Sequence, residues 1–340
     1  MSYSIEKITQ VVSAERYGDT AASISFLLTD SRSLCFPEET LFFALHTDRN
    51  DGHHYIPELY RRGVRNFVVE NVPNNFSDLY KHANFLKVGN TLAALQQLTT
   101  FHRKAFNIPI VGITGSNGKT MVKEWLYQLL SYDMNVTRSP KSYNSQIGVP
   151  LSLWLLNENS QIGLIEAGIS KVGEMQALHD IIMPTVGVLT SIGTAHQENF
   201  SSLKEKCNEK LLLFKGTQAL IYRLDDKIAA NCVAETCYDG ELLAWSEHDT
   251  TAAFYVERIE KSNTTSTIHY IWKHSTHGNF ILPFIDDASI SNCITCAVVA
   301  LYFGIQPEVL SQRMAKLEPV AMRLEVKEGQ HGCTLINDSY

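Results

Sequence analysis

Apolar and polar stretches alternate along this chain in a way that predicts two regions of mixed helix and strand. Residues 1–106 show short apolar runs separated by amphipathic stretches, which is typical of a small α/β domain. From residue 107 onward a strand-then-helix pattern repeats, and such alternation favours a mostly parallel sheet covered by helices on both faces. The proline at position 109 marks the boundary, because a helix ends before a proline. We therefore predict an α/β fold with domains at 1–106 and 107–340.

The individual elements follow from the spacing of apolar positions. In the first region we predict strands at 25–28, 41–45, 66–69 and 85–88, and helices at 4–12, 56–62 and 92–106. In the second we predict strands at 109–113, 161–166, 185–192 and 218–222, and helices at 119–131, 173–182, 202–214, 225–232, 289–303 and 307–317. Residues 240–285 favour a short antiparallel excursion, and strand-like segments follow at 324–327 and 333–336.

A glycine-bearing turn between the first central strand and its helix predicts a phosphate-binding loop. Its residues are Thr114, Gly115, Ser116, Asn117, Gly118, Lys119 and Thr120. Free backbone N–H groups and the helix dipole attract anionic oxygens at such a helix start. Lys119 could reach the outer phosphates of a nucleotide, and the Thr120 hydroxyl could bind magnesium. The strict P-loop pattern requires glycine where this chain has Ile113, so the motif is a shorter version; a turn that merely starts a helix is the structural alternative.

Two further polar residues follow strands of the predicted central sheet. Glu166 ends one strand, and His196 follows the next. Because ligands collect beyond the carboxyl ends of parallel strands, we expect both to converge with Thr120 on a magnesium ion near the nucleotide phosphates. A strand-end ion pair for Glu166 and a helix-capping or core role for His196 are the alternatives.

Lys210 lies inside the apolar stripe of a predicted helix, which begins with a capping box at Ser202. Burial of a lysine lowers its pKa, and the neutral amine reacts with carbon dioxide to give a carbamate that can bind a cation. From the residues alone, snorkelling of the ammonium to the helix edge is the favoured interpretation.

Composition excludes several classes of function. A formal net charge of -7 argues against a general nucleic-acid binder. Seven cysteines without regular spacing indicate thiols in a reducing compartment, and Cys293 and Cys296 are predicted to be buried in a helix without zinc. No signal pattern and no run of about 18 apolar residues occurs, so we expect no membrane insertion and a cytoplasmic location.

Asp30-Ser31-Arg32 is either a plain turn with a local ion pair or a site for phosphate or sugar.

Together these motifs resemble the Mur ligases, ATP-dependent amide-forming enzymes of peptidoglycan synthesis. The loop at 114–120 is similar to the ATP loop of the family, and 144–150 (Asn-Ser-Gln-Ile-Gly-Val-Pro) is similar to its Asn-Asn-x-Ile-Gly-Val-Pro segment. Glu166-Ala-Gly and Ile192-Gly-x-Ala-His-x-Glu198 resemble the branch that adds D-alanyl-D-alanine to UDP-N-acetylmuramoyl-tripeptide. The resemblance extends from about residue 27 to residue 340.

The resemblance implies a set of roles for individual residues. ATP would bind through 114–120, with Asn292 and Arg323 on the adenine side. Magnesium would be held by Thr120 and Glu166, and by His196 with a carbamate on Lys210, which reverses the interpretation as snorkelling. Lys119, His196 and Lys210 would be catalytic, and Asp30, Ser31, Arg32 and Asn144 would bind the UDP substrate. The reaction would proceed through an acyl phosphate.

The final residues, 336–340, resemble the start of the junction to a third family domain, which binds the incoming amine. We therefore expect a piece of a longer ligase, inactive alone, to which further C-terminal domains, an alanine racemase among them, could be covalently fused. The alternatives are another Mur ligase, a folylpolyglutamate synthase-like ligase, or a non-catalytic nucleotide-binding module.

Overall fold

The computed structural model describes residues 1–47, 50–194, 199–320, 325–328 and 333–337. Contacts between Cα atoms divide the chain into two compact units. The first comprises residues 1–107 and 146–158, and the second comprises residues 108–145 and 159–340.

The helices are short to medium in length, as expected for an α/β protein. In chain order they are α1 (Ile5–Val11), α2 (Ile56–Arg61), α3 (Phe76–Leu79), α4 (Thr91–Arg103), α5 (Lys119–Leu130), α6 (Gly148–Leu153), α7 (Glu174–Ile182), α8 (Leu203–Leu211), α9 (Lys227–Glu235), α10 (Asp287–Tyr302) and α11 (Pro307–Met314). Single 3₁₀ turns are described at Ser31–Ser33, Pro37–Glu39, Gly52–Tyr55 and Leu212–Phe214.

The strands form two main sheets and three small two-stranded pairs. In chain order they are β1 (Tyr3–Ser4), β2 (Glu15–Tyr17), β3 (Ser23–Ile24), β4 (Phe26–Leu28), β5 (Thr40–Phe43), β6 (His46–Thr47), β7 (Asn50–Asp51), β8 (Asn66–Val69), β9 (Asn84–Lys87), β10 (Ile110–Thr114), β11 (Val136–Arg138), β12 (Ile162–Glu166), β13 (Val186–Leu189), β14 (Ala219–Arg223), β15 (Glu241–Ser246), β16 (Phe254–Lys261), β17 (Ser266–Trp272), β18 (Thr276–Leu282), β19 (Glu325–Glu328) and β20 (Thr334–Asn337).

The first unit is built on a five-stranded sheet in the order β2-β9-β8-β5-β4, antiparallel only between β2 and β9. Successive side chains of a strand point to opposite faces. Phe42 and Phe67 accordingly pack into one core, and Phe43 and Val68 into a second. This explains why β5 and β8 are buried at every position.

Residues 146–158 belong to the first unit, although the sequence pattern assigned them to the central domain. Trp154 packs 4.6 Å from the ring of His102, and its indole N–H donates to the carbonyl of Ser25 (2.9 Å). The tryptophan burial that holds this segment depends on residues far away in the chain, which a local pattern does not reveal.

The second unit contains a nine-stranded sheet in the order β11-β12-β10-β13-β14-β15-β16-β17-β18. The pairs from β11 to β16 are parallel, and only β16-β17 and β17-β18 are antiparallel. The predicted mostly parallel sheet is confirmed. The predicted antiparallel excursion over 240–285 is wrong at its start, because β15 and β16 continue the parallel sheet and bury Leu243, Trp245 and Phe254.

Helices cover this sheet as predicted. α5 and α10 pack together in the main core, where Trp125 and Cys296 are fully buried. Cys293 is also a buried free thiol, in agreement with the helix-packing interpretation, and no metal-binding group of His, Cys, Asp or Glu is found among the described residues. The ring of Phe214 fills the space beside Gly187 on β13. None of the described helices is both long and apolar enough to cross a membrane.

Candidate nucleotide and metal site

The loop between β10 and α5 has a backbone that only glycine accommodates at two positions. The strand that enters it is fully buried, and the helix that leaves it begins at Lys119. Gly115 has φ of +151° and Gly118 has φ of +84°. A Cβ on Gly115 would lie 1.9 Å from the hydroxyl of Thr190, and a Cβ on Gly118 would lie 2.4 Å from the side-chain oxygen of Asn292. The loop can therefore approach both neighbours only because it lacks these side chains.

The segment that follows β13 fixes the shape of this loop. The amide of Ser116 donates to the carbonyl of Ser191 (2.7 Å), and the Ser116 hydroxyl donates to the carbonyl of Gly193 (3.0 Å). The Thr190 hydroxyl lies 2.5 Å from the carbonyl of Asn117. Since β10 and β13 are neighbouring parallel strands, their carboxyl ends meet, and these hydrogen bonds hold the loop rigidly at that edge.

Lys119 lies along the loop. Its ammonium donates to the carbonyls of Gly115 (2.9 Å) and Ser116 (3.2 Å). The positive charge is thus held beside the N-terminus of α5, where the helix dipole and free amides also favour an anion.

Thr120 and Glu166 come together as the sequence analysis anticipated. The Thr120 hydroxyl lies 3.2 Å from Oε2 of Glu166 and 3.3 Å from the hydroxyl of Ser142. Glu166 ends β12, which pairs with β10 on the side opposite β13. Two oxygens that bind one Mg²⁺ at adjacent octahedral positions lie about 3 Å apart, so this pair fits the ion. His196 lies outside the described residues.

Sequence analysis missed Lys123, one turn after Lys119 on α5. Its side chain is fully buried, and its ammonium lies 3.0 Å from Oε1 of Glu166 and 2.9 Å from Oε1 of Glu124. It also donates to the carbonyls of Ser139 (2.8 Å) and Lys141. A lysine next to Val122 in the apolar stripe of α5 was the available signal, because a buried ammonium requires anionic or carbonyl partners.

Lys210 on α8 is 3% exposed and so does not snorkel to solvent. Burial lowers the pKa of Lys210 to about 7, and the charges of Lys119 and Lys206 add to the effect. Within the described part of the chain, no hydrogen bond or ion pair of the Lys210 ammonium is found. A substantial neutral fraction of this amine near pH 7 is the chemical consequence.

A cleft of about 200 Å³ lies next to the loop in the second unit. Its lining residues come from the ends of β13, β14 and β15 and from α10: Leu189, Thr190, Ser191, Arg223, Asp225, Asp226, Trp245, Ser291, Asn292 and Thr295. The guanidinium of Arg223 stacks over Trp245 at 4.8 Å, and the indole N–H donates to the hydroxyl of Thr295 (3.1 Å). Asn292 thus lies between the phosphate loop and this cleft, whereas Arg323 lies outside the described residues.

The first unit has a cavity of about 440 Å³. Asp30, Ser31 and Arg32 line it, and the carboxylate of Asp30 forms an ion pair with Arg32 (2.6 Å). Hydrogen bonds from Arg32 lower the pKa of Asp30. The same three residues therefore form a local ion-paired turn and a cavity wall. Asn144 lies in the second unit, where its side chain contacts Gly168 close after Glu166.

Known proteins resemble this chain in sequence. The chain is 29% identical over 319 residues to UDP-N-acetylmuramoyl-tripeptide–D-alanyl-D-alanine ligase of Bacillus subtilis, covering 92% of this chain and 66% of that protein. The ligase of the same name from Treponema pallidum is 31% identical over 331 residues, covering 94% of this chain and 69% of that protein. The chain thus spans about two thirds of the length of these relatives.

Solved structures resemble it in fold. MurF from Acinetobacter baumannii superposes with a TM-score of 0.89 at 22% identity, over all of this chain and 73% of that one. MurF from Thermotoga maritima in complex with ADP superposes with a TM-score of 0.78 at 24% identity, over 92% of this chain and 70% of that one. The sequence family described as the Mur ligase middle domain matches residues 113–300, which include the phosphate loop, Glu166 and Lys210. Because that match spans more than half of the sequence, the chain belongs to the Mur ligase family.

Proposed function

We propose that this chain binds ATP and takes part in joining D-alanyl-D-alanine to UDP-N-acetylmuramoyl-tripeptide, a step in making peptidoglycan precursors. The observation that carries the proposal is the 3.2 Å contact between the Thr120 hydroxyl and Glu166, beside a glycine loop that opens a helix. A phosphate cradle, a hydroxyl and a carboxylate at adjoining strand ends are what a Mg²⁺-nucleotide requires. The names of the sequence relatives support the two substrates.

The phosphates of ATP would be held by the amides of residues 114–120 and by Lys119. The adenosine part would enter the cleft near Asn292, and Arg323 would be a further ligand of the nucleotide. The position of the cleft supports this assignment, because Thr190 and Asn292 line it and both also contact the phosphate loop.

Thr120 and Glu166 would hold one magnesium ion, and His196 together with a carbamate on Lys210 would hold a second. Bound magnesium supplies positive charge against the phosphate oxygens. The buried amine of Lys210 supports the carbamate, because a neutral amine attacks carbon dioxide and releases one proton as the N–C bond forms. A lysine of ordinary pKa would be almost wholly protonated at pH 7.

In the proposed reaction the terminal carboxylate of the tripeptide attacks the γ-phosphorus of ATP, and ADP leaves. Lys119 offsets the negative charge that develops on the transferred group. The amine of D-alanyl-D-alanine then attacks the acyl carbon, phosphate leaves, and the amide forms with loss of a proton.

The UDP part of the substrate would bind in the first-unit cavity lined by Asp30, Ser31 and Arg32. A cavity of about 440 Å³ is in the range of small-molecule sites. The cytoplasm is the proposed location, and the described cysteines, all free thiols, support a reducing compartment.

Calorimetry tests the proposal with the chain as it is. We expect ATP and UDP-N-acetylmuramoyl-tripeptide each to bind, and folate not to bind. Lys119→Ala should weaken ATP binding at least tenfold, because it removes the cation over the loop. Lys104→Ala, at an exposed lysine, is the control. Binding of neither ligand would identify a module of another function, and tight folate binding would identify a folylpolyglutamate synthase-like ligase.

A further inference from the structure

The buried ammonium of Lys123 divides the two carboxylate oxygens of Glu166 between different partners. Oε1 lies 3.0 Å from the Lys123 nitrogen, while Oε2 lies 3.2 Å from the Thr120 hydroxyl. Oε1 is buried and accepts no hydrogen bond from the described residues, so its contact with Lys123 is ionic. Only Oε2 therefore faces the hydroxyl with which Glu166 would share a cation.

Lys123 is itself held firmly in place. Its ammonium contacts the Glu124 carboxylate and donates to the carbonyls of Ser139 and Lys141, in the segment after β11. Glu124 in turn is ion-paired with Arg138 (3.0 Å), whose guanidinium stacks over a tyrosine ring. With these partners around a side chain of 0% exposure, Lys123 cannot move aside at low cost to release Oε1.

We infer that Lys123 is a positioning residue that keeps Glu166 to a single oxygen donor and thereby favours Mg²⁺ over larger cations such as Ca²⁺. Mg²⁺ demands a compact octahedral shell and takes carboxylates through one oxygen, whereas Ca²⁺ takes six to eight oxygens and accepts bidentate carboxylates. The inference rests on the proposed nucleotide function and adds to it the residue that sets the choice of cation.

A purely structural role for Lys123 makes a different prediction. If Lys123 only stabilised the fold, its removal would lower stability and weaken every metal-nucleotide complex to the same degree. If it restrains Glu166, its removal frees Oε1, and the affinity for the calcium complex changes relative to that for the magnesium complex. The ratio of the two dissociation constants separates these roles.

Calorimetry with the non-hydrolysable analogue AMP-PNP measures that ratio, with Mg²⁺ or with Ca²⁺ as the cation. We expect Lys123→Met to weaken the preference for Mg²⁺ over Ca²⁺, so that the ratio of the calcium Kd to the magnesium Kd falls at least tenfold. Lys316→Met, the same substitution at an exposed lysine of the second unit, should leave the ratio unchanged. If circular dichroism shows Lys123→Met to be unfolded, Lys123→Gln, which retains a donor for the two carbonyls, gives the same readout.

An unchanged ratio in a folded Lys123 variant that still binds the nucleotide would overturn the inference and leave the proposed function intact. Failure of the unaltered chain to bind the analogue with either cation would instead contradict the proposed function itself.

Discussion

At the scale of single residues, Lys210 shows how burial changes chemistry. Its environment contains two other lysines, Lys119 and Lys206, whose charges disfavour a third ammonium. The apolar stripe on α8 contains this lysine, but snorkelling to the helix edge, the interpretation favoured from the residues alone, is wrong because Lys210 is buried. The contribution of Lys119 could not be predicted, because 91 positions of sequence separate it from Lys210 and only the fold brings the two charges near each other.

Lys210→Met should stabilise the chain in carbon dioxide-free buffer. The folded pKa of about 7 lies below the ordinary value of 10.5, so the unfolded chain binds more protons between these values and stability rises with pH there. Removing the amine should therefore raise the free energy of unfolding by on the order of 4 kcal/mol at pH 7. The gain should shrink about threefold by pH 9.5, because the amine is then mostly neutral in the folded state and increasingly so in the unfolded state.

Urea unfolding at the two pH values measures this gain. Lys204→Met is the matched control on the same helix, because Lys204 is exposed and ion-paired with Glu235, and it should change stability only slightly. An equal gain at both pH values for Lys210→Met would mean that desolvation of its charge is not the cause.

At the scale of elements, the start of α5 is governed by close packing against α10. The glycine at position 118 was predicted as part of a phosphate loop from local chemistry alone. Glycine is needed there for a second reason as well, because the side chain of Asn292 lies where a Cβ of residue 118 would be. Asn292 belongs to a helix about 170 positions later in the chain. Sequence reasoning predicted both residues as nucleotide ligands but could not show that they touch.

Gly118→Ala should weaken nucleotide binding at least tenfold, since the new methyl group would collide with Asn292 and shift the loop. Gly304→Ala is a close control: its φ of +85° matches that of Gly118, yet no atom lies within 4 Å of the added carbon. Both variants should lose about 1 kcal/mol of stability from backbone strain. Calorimetry with ATP should then show weakened binding for Gly118→Ala alone; equal affinities would show that the Asn292 contact is unimportant.

At the scale of the whole molecule, the two predicted ligand sites lie in separate compact units, each with its own sheet and core. The α/β class and the parallel order followed from the alternating pattern. Assignment of residues 146–158 to the first unit did not, since the burial of Trp154 and the hydrogen bond from His102 to the Leu156 carbonyl (3.0 Å) are long-range contacts.

Ser31→Leu should block the first-unit cavity, because Ser31 lines it and is almost fully buried. We expect binding of UDP to fall at least tenfold while ATP binding stays within a factor of two. Ser33→Leu, on the exposed side of the same 3₁₀ turn, should affect neither ligand. Calorimetry with UDP and with ATP makes the comparison, and unchanged UDP binding in Ser31→Leu would remove this cavity as the site for the UDP part.

The sequence by itself determined what depends on neighbours along the chain: helix and strand periodicity, the glycine loop before a helix, and the residues that match Mur ligase motifs. The tertiary structure decided what depends on distant partners. Lys123 on α5 was overlooked because its role comes from Glu166, which lies at the end of β12 and comes within 3.0 Å of it only because β12 pairs with β10. Charge–charge interaction and burial act through space, so the choice of partner for a buried charge is fixed by the fold and not by the local pattern.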